Sequence, residues 1–388
     1  MQKGKIKKFA YISIVIAVFF ATSAGFFVPQ NIAEAKKSTI TKWQKKLEKN
    51  GVNATLWQRY LPKVSRGEYN KVMKLVKKMG ASATQTEVAA QTVSLGPEIA
   101  VGLWNFSKSD TFKINANKAY NIRNGDGGII AQVAAASTTK VKYDDNGKLE
   151  VSGSIASTLV PDKVLFDAAD GDNSTLICDA HASDSYDQYR GKIEVKYYHG
   201  DDIYGGSSTS VTQIWVINKL PLEQYVWGMG ETTGTGDADH VRVMTTIFRT
   251  YGDWYIENAT KYKPLGFKIR SDSGSQIYGG YDWEKNHLKI KDAAEDTRGR
   301  IVKYKGEVAL TPYCSYTDGK PRALKGYPYL KSVKDHKRGT KKSLKPGDGG
   351  NHMWGLSANG ALGYAGDGKS WDWILKHYYS GVDIEISY

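Results

Sequence analysis

The stretch from Leu220 to Tyr255, LPLEQYVWGMGETTGTGDADHVRVMTTIFRTYGDWY, constrains the fold more than any other. Pro221 suits a first helical turn, where its missing N–H has no intrahelical partner. Glu223 in that turn complements the helix dipole. Leu222, Tyr225, Val226 and Met229 follow at helical spacing. The run Thr232-Thr233-Gly234-Thr235-Gly236 then breaks the helix, and Asp237 or Asp239 can cap the next one. That second helix repeats Val241, Met244, Phe248, Tyr251 and Tyr255, a core stripe of period 3.6. The pattern predicts helix, tight loop, helix, with Glu231 at the end of a buried helix against a glycine-rich loop. A lone carboxylate there is either a proton donor held against a substrate or a solvated helix-terminal Glu; spacing alone favours the second.

The remaining chain reads as an ordered series. Met1–Lys8 is basic, Phe9–Val28 is almost wholly apolar, and Ala33-Glu34-Ala35 is a small-x-small pattern. Residues 1–35 therefore read as an export signal cleaved after Ala35. The alternative is an uncleaved membrane anchor, since the apolar run nears bilayer-spanning length. Either way the protein is expected to work outside the cytoplasmic membrane, at the cell wall or beyond. Residues 36–80 read as a helical extension with apolar stripes (Ile40, Trp43, Leu47; Leu56, Trp57, Tyr60, Leu61; Tyr69, Val72, Val76, Met79) opposite lysine-rich faces. Residues 81–96, rich in Ala, Ser, Thr and Gln, read as a linker. From Glu98 the period changes to short, turn-punctuated strands, and Arg190–Tyr197 alternates strictly. Thr212–Asn218 is a further strand leading into the first helix. The order is many strands, two helices, more strands and one last helix. This is an α+β arrangement, not an alternating β-α-β fold.

Charge and cysteine content narrow the chemistry. The formal net charge is +14. An exported basic chain meets acidic partners: anionic wall polymers such as teichoic acids, anionic lipids, extracellular DNA, or the carboxylates of peptidoglycan stems. Lys331, Lys334, Lys337, Arg338, Lys341, Lys342 and Lys345 concentrate in one loop-like stretch, without interleaved aromatics. A solvated loop facing the wall accounts for them better than nucleic acid does. Cys178 and Cys314 are the two cysteines; a disulfide and two free thiols are equally compatible with their positions. No C-x-x-C or H-x-x-x-H occurs, so no metal site and no cofactor are assigned. The glycine runs at Asn124–Gly128 and Pro346–Gly350 lack the Gly-Lys-Ser/Thr of a phosphate loop and read as turns.

Several segments, in order, resemble the SpoIID/LytB family of stage II sporulation protein D and the amidase enhancers. Asn218, Leu220-Pro221-Leu222-Glu223, Tyr225, Gly228 and Glu231, then Arg249-Thr250-Tyr251, are similar to its N-x-L-P-L-E-x-Y-L-x-G…E and A-A-R-T-Y pattern. Asp272–Tyr278 resembles D-T-x-x-S-Q-x-Y, and Thr311–Arg322 resembles its A-F-Y-S-x-S-x-G-G-R-T strand and loop. His352–Ala361 resembles H-G-x-G-M-S-Q-x-G-A, and Gly368–Ile384 its G-x-S-Y-x-E-I-L-x-H-Y-Y-P-G-T-x-I tail. The resemblance implies one SpoIID-like α+β domain over 97–388. It also implies lytic cleavage of peptidoglycan glycan strands, with Glu231 as the single acid and then base and a 1,6-anhydro-muramoyl product. Trp227 is a candidate desolvating wall for Glu231. Ser275, Gln276, Tyr278, Tyr313, Ser315, His352 and Arg242 become candidate substrate-binding residues, and Tyr316 a further aromatic candidate. The same fold also serves non-catalytic glycan-binding activators of an N-acetylmuramoyl-L-alanine amidase. Departures keep that second reading open: Thr232-Thr233 replace Met-Pro, Arg242 and Met244 replace Lys and Gln, and Met353 and Ala358 replace Gly and Gln; the retained Glu231 favours the enzyme.

Overall fold

Strict alternation of buried and exposed positions marks the strands. In Thr139–Tyr143, buried and exposed residues alternate throughout; in Lys163–Ala168, Val164, Phe166 and Ala168 are buried and their neighbours half-exposed. The computed structural model describes residues 94–180, 186–198 and 213–388, together with Lys42 and Lys45 as two helical positions. The expected signal (1–35), and nearly all of the helical extension (36–80) and linker (81–96), lie outside the described residues. Ser94–Tyr388 forms one unit.

The strands in chain order are β1 (Glu98–Phe106), β2 (Thr111–Ala116), β3 (Tyr120–Arg123), β4 (Ile129–Val133), β5 (Thr139–Tyr143), β6 (Lys148–Ser152), β7 (Thr158–Pro161), β8 (Lys163–Ala168), β9 (Ile177–Asp179), β10 (Gln188–Arg190), β11 (Lys192–Tyr198) and β12 (Gln213–Pro221). After them come helices α1 (Leu222–Trp227) and α2 (Ala238–Asn258), strand β13 (Ile269–Arg270), and helices α3 (Gly280–Asn286) and α4 (Leu288–Asp296). Strands β14 (Arg300–Tyr304), β15 (Glu307–Val308), β16 (Tyr313–Cys314) and β17 (Leu356–Ser357), helices α5 (Ala358–Gly366) and α6 (Trp371–Tyr378), and strand β18 (Asp383–Ile386) complete the chain.

A seven-stranded sheet runs β13-β1-β12-β11-β8-β3-β4, and a six-stranded sheet runs β10-β9-β2-β5-β6-β7. All pairings in the larger sheet are antiparallel except β1 with β13. β12 lies between β1 and β11, and five consecutive residues of it, Ile214–Asn218, are buried. That suits a strand covered on both faces, whose sequence need not alternate. The helices pack on one another beyond the end of this strand, so the domain is α+β as expected. Cys178 and Cys314 are buried free thiols, each pushed up to about 12 by desolvation. No disulfide joins them.

Two features of the helical part differ from the sequence reading. The first helix stops at Trp227 instead of continuing towards Glu231. Gly228 lies so close to Gly280 that a Cβ there would stand 2.6 Å from the Gly280 carbonyl oxygen. Met229 bridges to Tyr278 in strand fashion, and the Gly230 N–H donates to the Ile277 carbonyl at 2.8 Å. Long-range pairing thus overrides helical periodicity. Pro221 correspondingly sits one residue earlier, as the extended N-cap of α1. The second difference is three unforeseen helices, α3, α4 and α5. They are seven, nine and nine residues long, too short for periodicity to stand out, and α3 and α5 contain glycine.

Much of the Asn218–Tyr251 stretch holds the scaffold together. The Glu223 carboxylate accepts from Arg249 Nε (2.8 Å) and Nη2 (2.9 Å), the Gly299 N–H (2.8 Å) and Tyr388 Oη (3.0 Å). Arg249 also donates to the Ala294 carbonyl at 2.8 Å. Both charges are fully buried. A buried pair is tolerated only when its remaining hydrogen-bonding capacity is met, and here α1, α2, α4 and the C-terminal residue meet it. Asn218 Nδ2 donates to the Arg190 and Lys192 carbonyls, and its Oδ1 accepts from Tyr278 Oη at 3.0 Å.

Candidate active site

Glu231 stands in the turn after α1, four residues beyond the helix end, and is half-buried. The loop opposite is built to meet it. The Asp272 carboxylate pairs with Arg270 and caps the Gly274 N–H at 2.9 Å. The Ser275 N–H donates to the Asp272 carbonyl, and the Tyr278 N–H to the Ser271 carbonyl. This closed loop aims the Ile277 N–H at Glu231 Oε1, 2.9 Å away. Burial pushes the Glu231 carboxyl above the usual range, while the hydrogen bonds from the Ile277 N–H and the Tyr313 hydroxyl oppose that rise. No second carboxylate acts on it among the described residues.

Behind Glu231 runs a one-way chain of donors. Tyr225 Oη donates to Gln276 Oε1 at 3.0 Å, Gln276 Nε2 donates to Tyr313 Oη at 3.2 Å, and the Tyr313 hydroxyl is left to donate to Glu231. Gln276 and Tyr225 are completely buried and Tyr313 is half-buried. The Tyr313 ring packs edge-on against Phe248 (5.3 Å between centroids) and Tyr251 (6.3 Å), which fixes its plane.

Of the candidate residues, Glu231, Gln276 and Tyr313 touch in this chain, and Ser275 precedes Gln276. His352 is close by: its ring hydrogen-bonds the Tyr313 backbone and its Nδ1 accepts the Trp354 N–H at 3.0 Å. That assigns the proton to Nε2 and makes the ring a neutral donor; desolvation holds its pKa below the ordinary imidazole value. The His352 ring stacks on Trp354, which is 39 % exposed. Ser315 is exposed, and its carbonyl accepts from the Asn359 backbone and side chain.

Other candidates stand apart. Tyr278 is buried, its ring 5.0 Å from that of Tyr225 and its hydroxyl taken by Asn218. Trp227 packs beneath Arg190 and Lys291. The groups that hydrogen-bond Glu231 are the Ile277 N–H and the Tyr313 hydroxyl. Arg242 pairs with Asp239 and Asp296, each at 3.0 Å, beside a cavity of about 210 Å³ that Gly234, Gly236, Lys289 and Asp292 also line. Tyr316 lies beneath the Lys341 ammonium, 3.5 Å from its ring centre. No cluster of three metal-ligating side chains occurs among the described residues, and His287 stacks on Trp283.

The departure at Met353 has a structural counterpart. Its φ is 61°, in the left-handed region where a glycine would be unstrained, and its side chain is fully buried. Gly355, at φ 68°, leaves no room for a side chain: a Cβ would stand 2.0 Å from the Pro312 carbonyl oxygen.

Residues 210–304 match the family model described as SpoIID, stage II sporulation protein. They include Glu231, Gln276 and the Glu223–Arg249 pair. This stretch of the chain is similar to the SpoIID family. Among curated proteins, the Amidase enhancer of Bacillus subtilis (strain 168) is 30% identical over 112 residues, which is 28% of this chain and 14% of that protein. An uncharacterized protein of Brachyspira hyodysenteriae (strain ATCC 49526 / WA1) is 30% identical over 107 residues, 27% of this chain and 28% of that protein. The chain thus spans a minor part of either relative. Tyr313, Ser315 and His352 lie outside the residues matched by the SpoIID model; geometry joins Tyr313 to Glu231 and His352 to the Tyr313 backbone. Tyr225 and the Ile277 N–H are the site groups that sequence reasoning missed. Tyr225 reads there as core stripe, and a backbone donor leaves no mark in a sequence.

Proposed function

We propose that this protein acts at the bacterial cell wall, outside the cytoplasmic membrane, and cleaves peptidoglycan glycan strands as a lytic transglycosylase. The SpoIID match over residues 210–304 and the relative named Amidase enhancer support the wall setting. The observation that carries the chemistry is a single desolvated carboxyl, Glu231, held by one backbone N–H and one tyrosine hydroxyl.

Burial favours the protonated form, as a general acid requires near neutral pH. Glu231 gives its proton to the glycosidic oxygen as the bond from muramoyl C1 to that oxygen breaks. The carboxylate so formed, stabilised by the Ile277 N–H and the Tyr313 hydroxyl, then takes the proton of the muramoyl 6-hydroxyl. That oxygen closes on C1, giving the 1,6-anhydro ring and returning Glu231 to its acid form. No water is consumed, and the second carboxylate of ordinary glycoside hydrolases is not needed. Tyr225 and Gln276 act through Tyr313 as positioning residues. His352, on the Tyr313 backbone, and Ser275, beside Gln276, are the nearer substrate-contacting candidates, and Ser315 is an exposed one two residues past Tyr313. Arg242 would act only if substrate displaced one of its aspartate partners.

Digestion of purified peptidoglycan with the protein and with Glu231→Gln, read by mass spectrometry, tests this. Anhydro-muramoyl ends that vanish in the variant support it; no products from either protein remove it. In that second case the glycan-binding activator reading takes over. The named relative and the ion-paired Arg242 favour it, and stimulation of an added wall amidase would test it.

A further inference from the structure

α2 carries aromatic rings that the acid–base chemistry leaves unused. Tyr251 and Tyr255 lie one helical turn apart with rings stacked at 4.6 Å and 28°, and Tyr251 Oη donates to Tyr255 Oη at 2.9 Å. Trp254 meets Tyr255 edge-on at 5.3 Å. Beyond the helix end, Tyr262 stacks on Phe267 at 5.1 Å, with the exposed Lys261 ammonium 4.8 Å from the Tyr262 ring centre. Tyr262 is within electrostatic reach of Tyr251, and Lys261 within reach of Tyr255 and Arg270. All four rings remain partly open to solvent, unlike Tyr225 and Phe248, which are sealed. The run is continuous with the site: Tyr251 packs against Tyr313, whose hydroxyl reaches Glu231.

Partly open aromatic faces edged by hydroxyls suit a ligand that is apolar on its faces and polar at its rim. Pyranose rings have that character. Lys261, over the Tyr262 ring, adds positive charge there, complementary to the carboxylates that muramoyl units carry. We propose that Tyr251, Trp254, Tyr255 and Tyr262 form an extended platform for the β-linked amino-sugar polymer running away from Glu231. The platform rests on the reading of Glu231 as a glycan site but not on cleavage there, so it serves an enzyme and a binding protein alike.

The test is calorimetric binding of N-acetylglucosamine trimer and hexamer to the full chain and to Tyr262→Ala and Tyr255→Leu, with thermal melts as the folding control. In the native chain the hexamer is expected to bind more tightly than the trimer. Each variant should lower hexamer affinity by about three- to tenfold, the loss of one partly buried ring, and leave trimer affinity unchanged. Glu231→Gln should keep the length preference. Trimer binding without length preference, or equal losses for both oligomers in the variants, would overturn the platform while leaving the Glu231 site standing. No binding of either oligomer would overturn both.

Discussion

Substituting Glu223 by alanine tests whether the family motif is chiefly a brace. The change removes four hydrogen-bond acceptances, from Arg249 Nε and Nη2, the Gly299 N–H and Tyr388 Oη. It strands a guanidinium that is completely buried. Removing one partner of such a pair costs about 3–5 kcal/mol, because the other charge stays desolvated. For a domain of this size, each kcal/mol moves the melting midpoint by roughly 2–4 °C, so a fall of about 10 °C is expected. Urea unfolding followed by circular dichroism measures it. Glu223→Leu combined with Arg249→Met should recover much of the loss, since an apolar pair of similar volume leaves no orphaned charge. A cost below about 1 kcal/mol for Glu223→Ala would refute the reasoning, as would a double variant no better than the single one.

Further consequences follow from the site. Burial raises the Glu231 carboxyl above its unfolded value, so its contribution to stability is full below the unfolded pKa, about 4.3. It is lost as pH rises through the folded value. Glu231→Gln, with nothing to ionise, should therefore gain melting temperature relative to the native protein as pH rises above ~4; a difference constant with pH would contradict the desolvated carboxyl. Tyr313→Phe removes a hydrogen bond that favours the carboxylate. It should cut turnover about 10- to 100-fold and move the alkaline limb of the pH–rate profile upwards, whereas a purely structural tyrosine would leave the limb in place. Gly355→Ala, with a Cβ driven against Pro312 at positive φ, should cost at least about 2 kcal/mol, measured by denaturant unfolding.

Local signals carried much of the fold. Asp237 caps α2 as expected, its side chain accepting the Asp239 N–H at 2.8 Å, and Val241, Met244 and Phe248 are buried on its core stripe. The early strands fall where turn-bounded apolar runs place them. What failed depends on partners distant in sequence. Nothing near Gly228 or Met229 announces that Tyr278 and Gly280 will stop the helix there. Strict alternation across Arg190–Tyr197 also concealed a break: Gly191 adopts φ 80° and separates β10 from β11. At the site, motif resemblance picked out Glu231, Gln276 and Tyr313, but not how they act. Gln276 has the look of a substrate ligand in the sequence, yet it lies beneath Tyr313 because Tyr225, some fifty residues away, holds its other end. Tyr251 and Tyr255 continue the core periodicity of Phe248, so their partial exposure at the end of the stripe is visible only once the sheet and loop around them are in place.

The account turns on Glu231 working without water as a reactant. Digestion of peptidoglycan in heavy-oxygen water, with mass spectrometry of the newly formed muramoyl ends, tests this most directly. Anhydro ends free of the heavy label, lost in Glu231→Gln, are the predicted result. Reducing ends that carry one heavy oxygen would mean hydrolysis and would contradict the account.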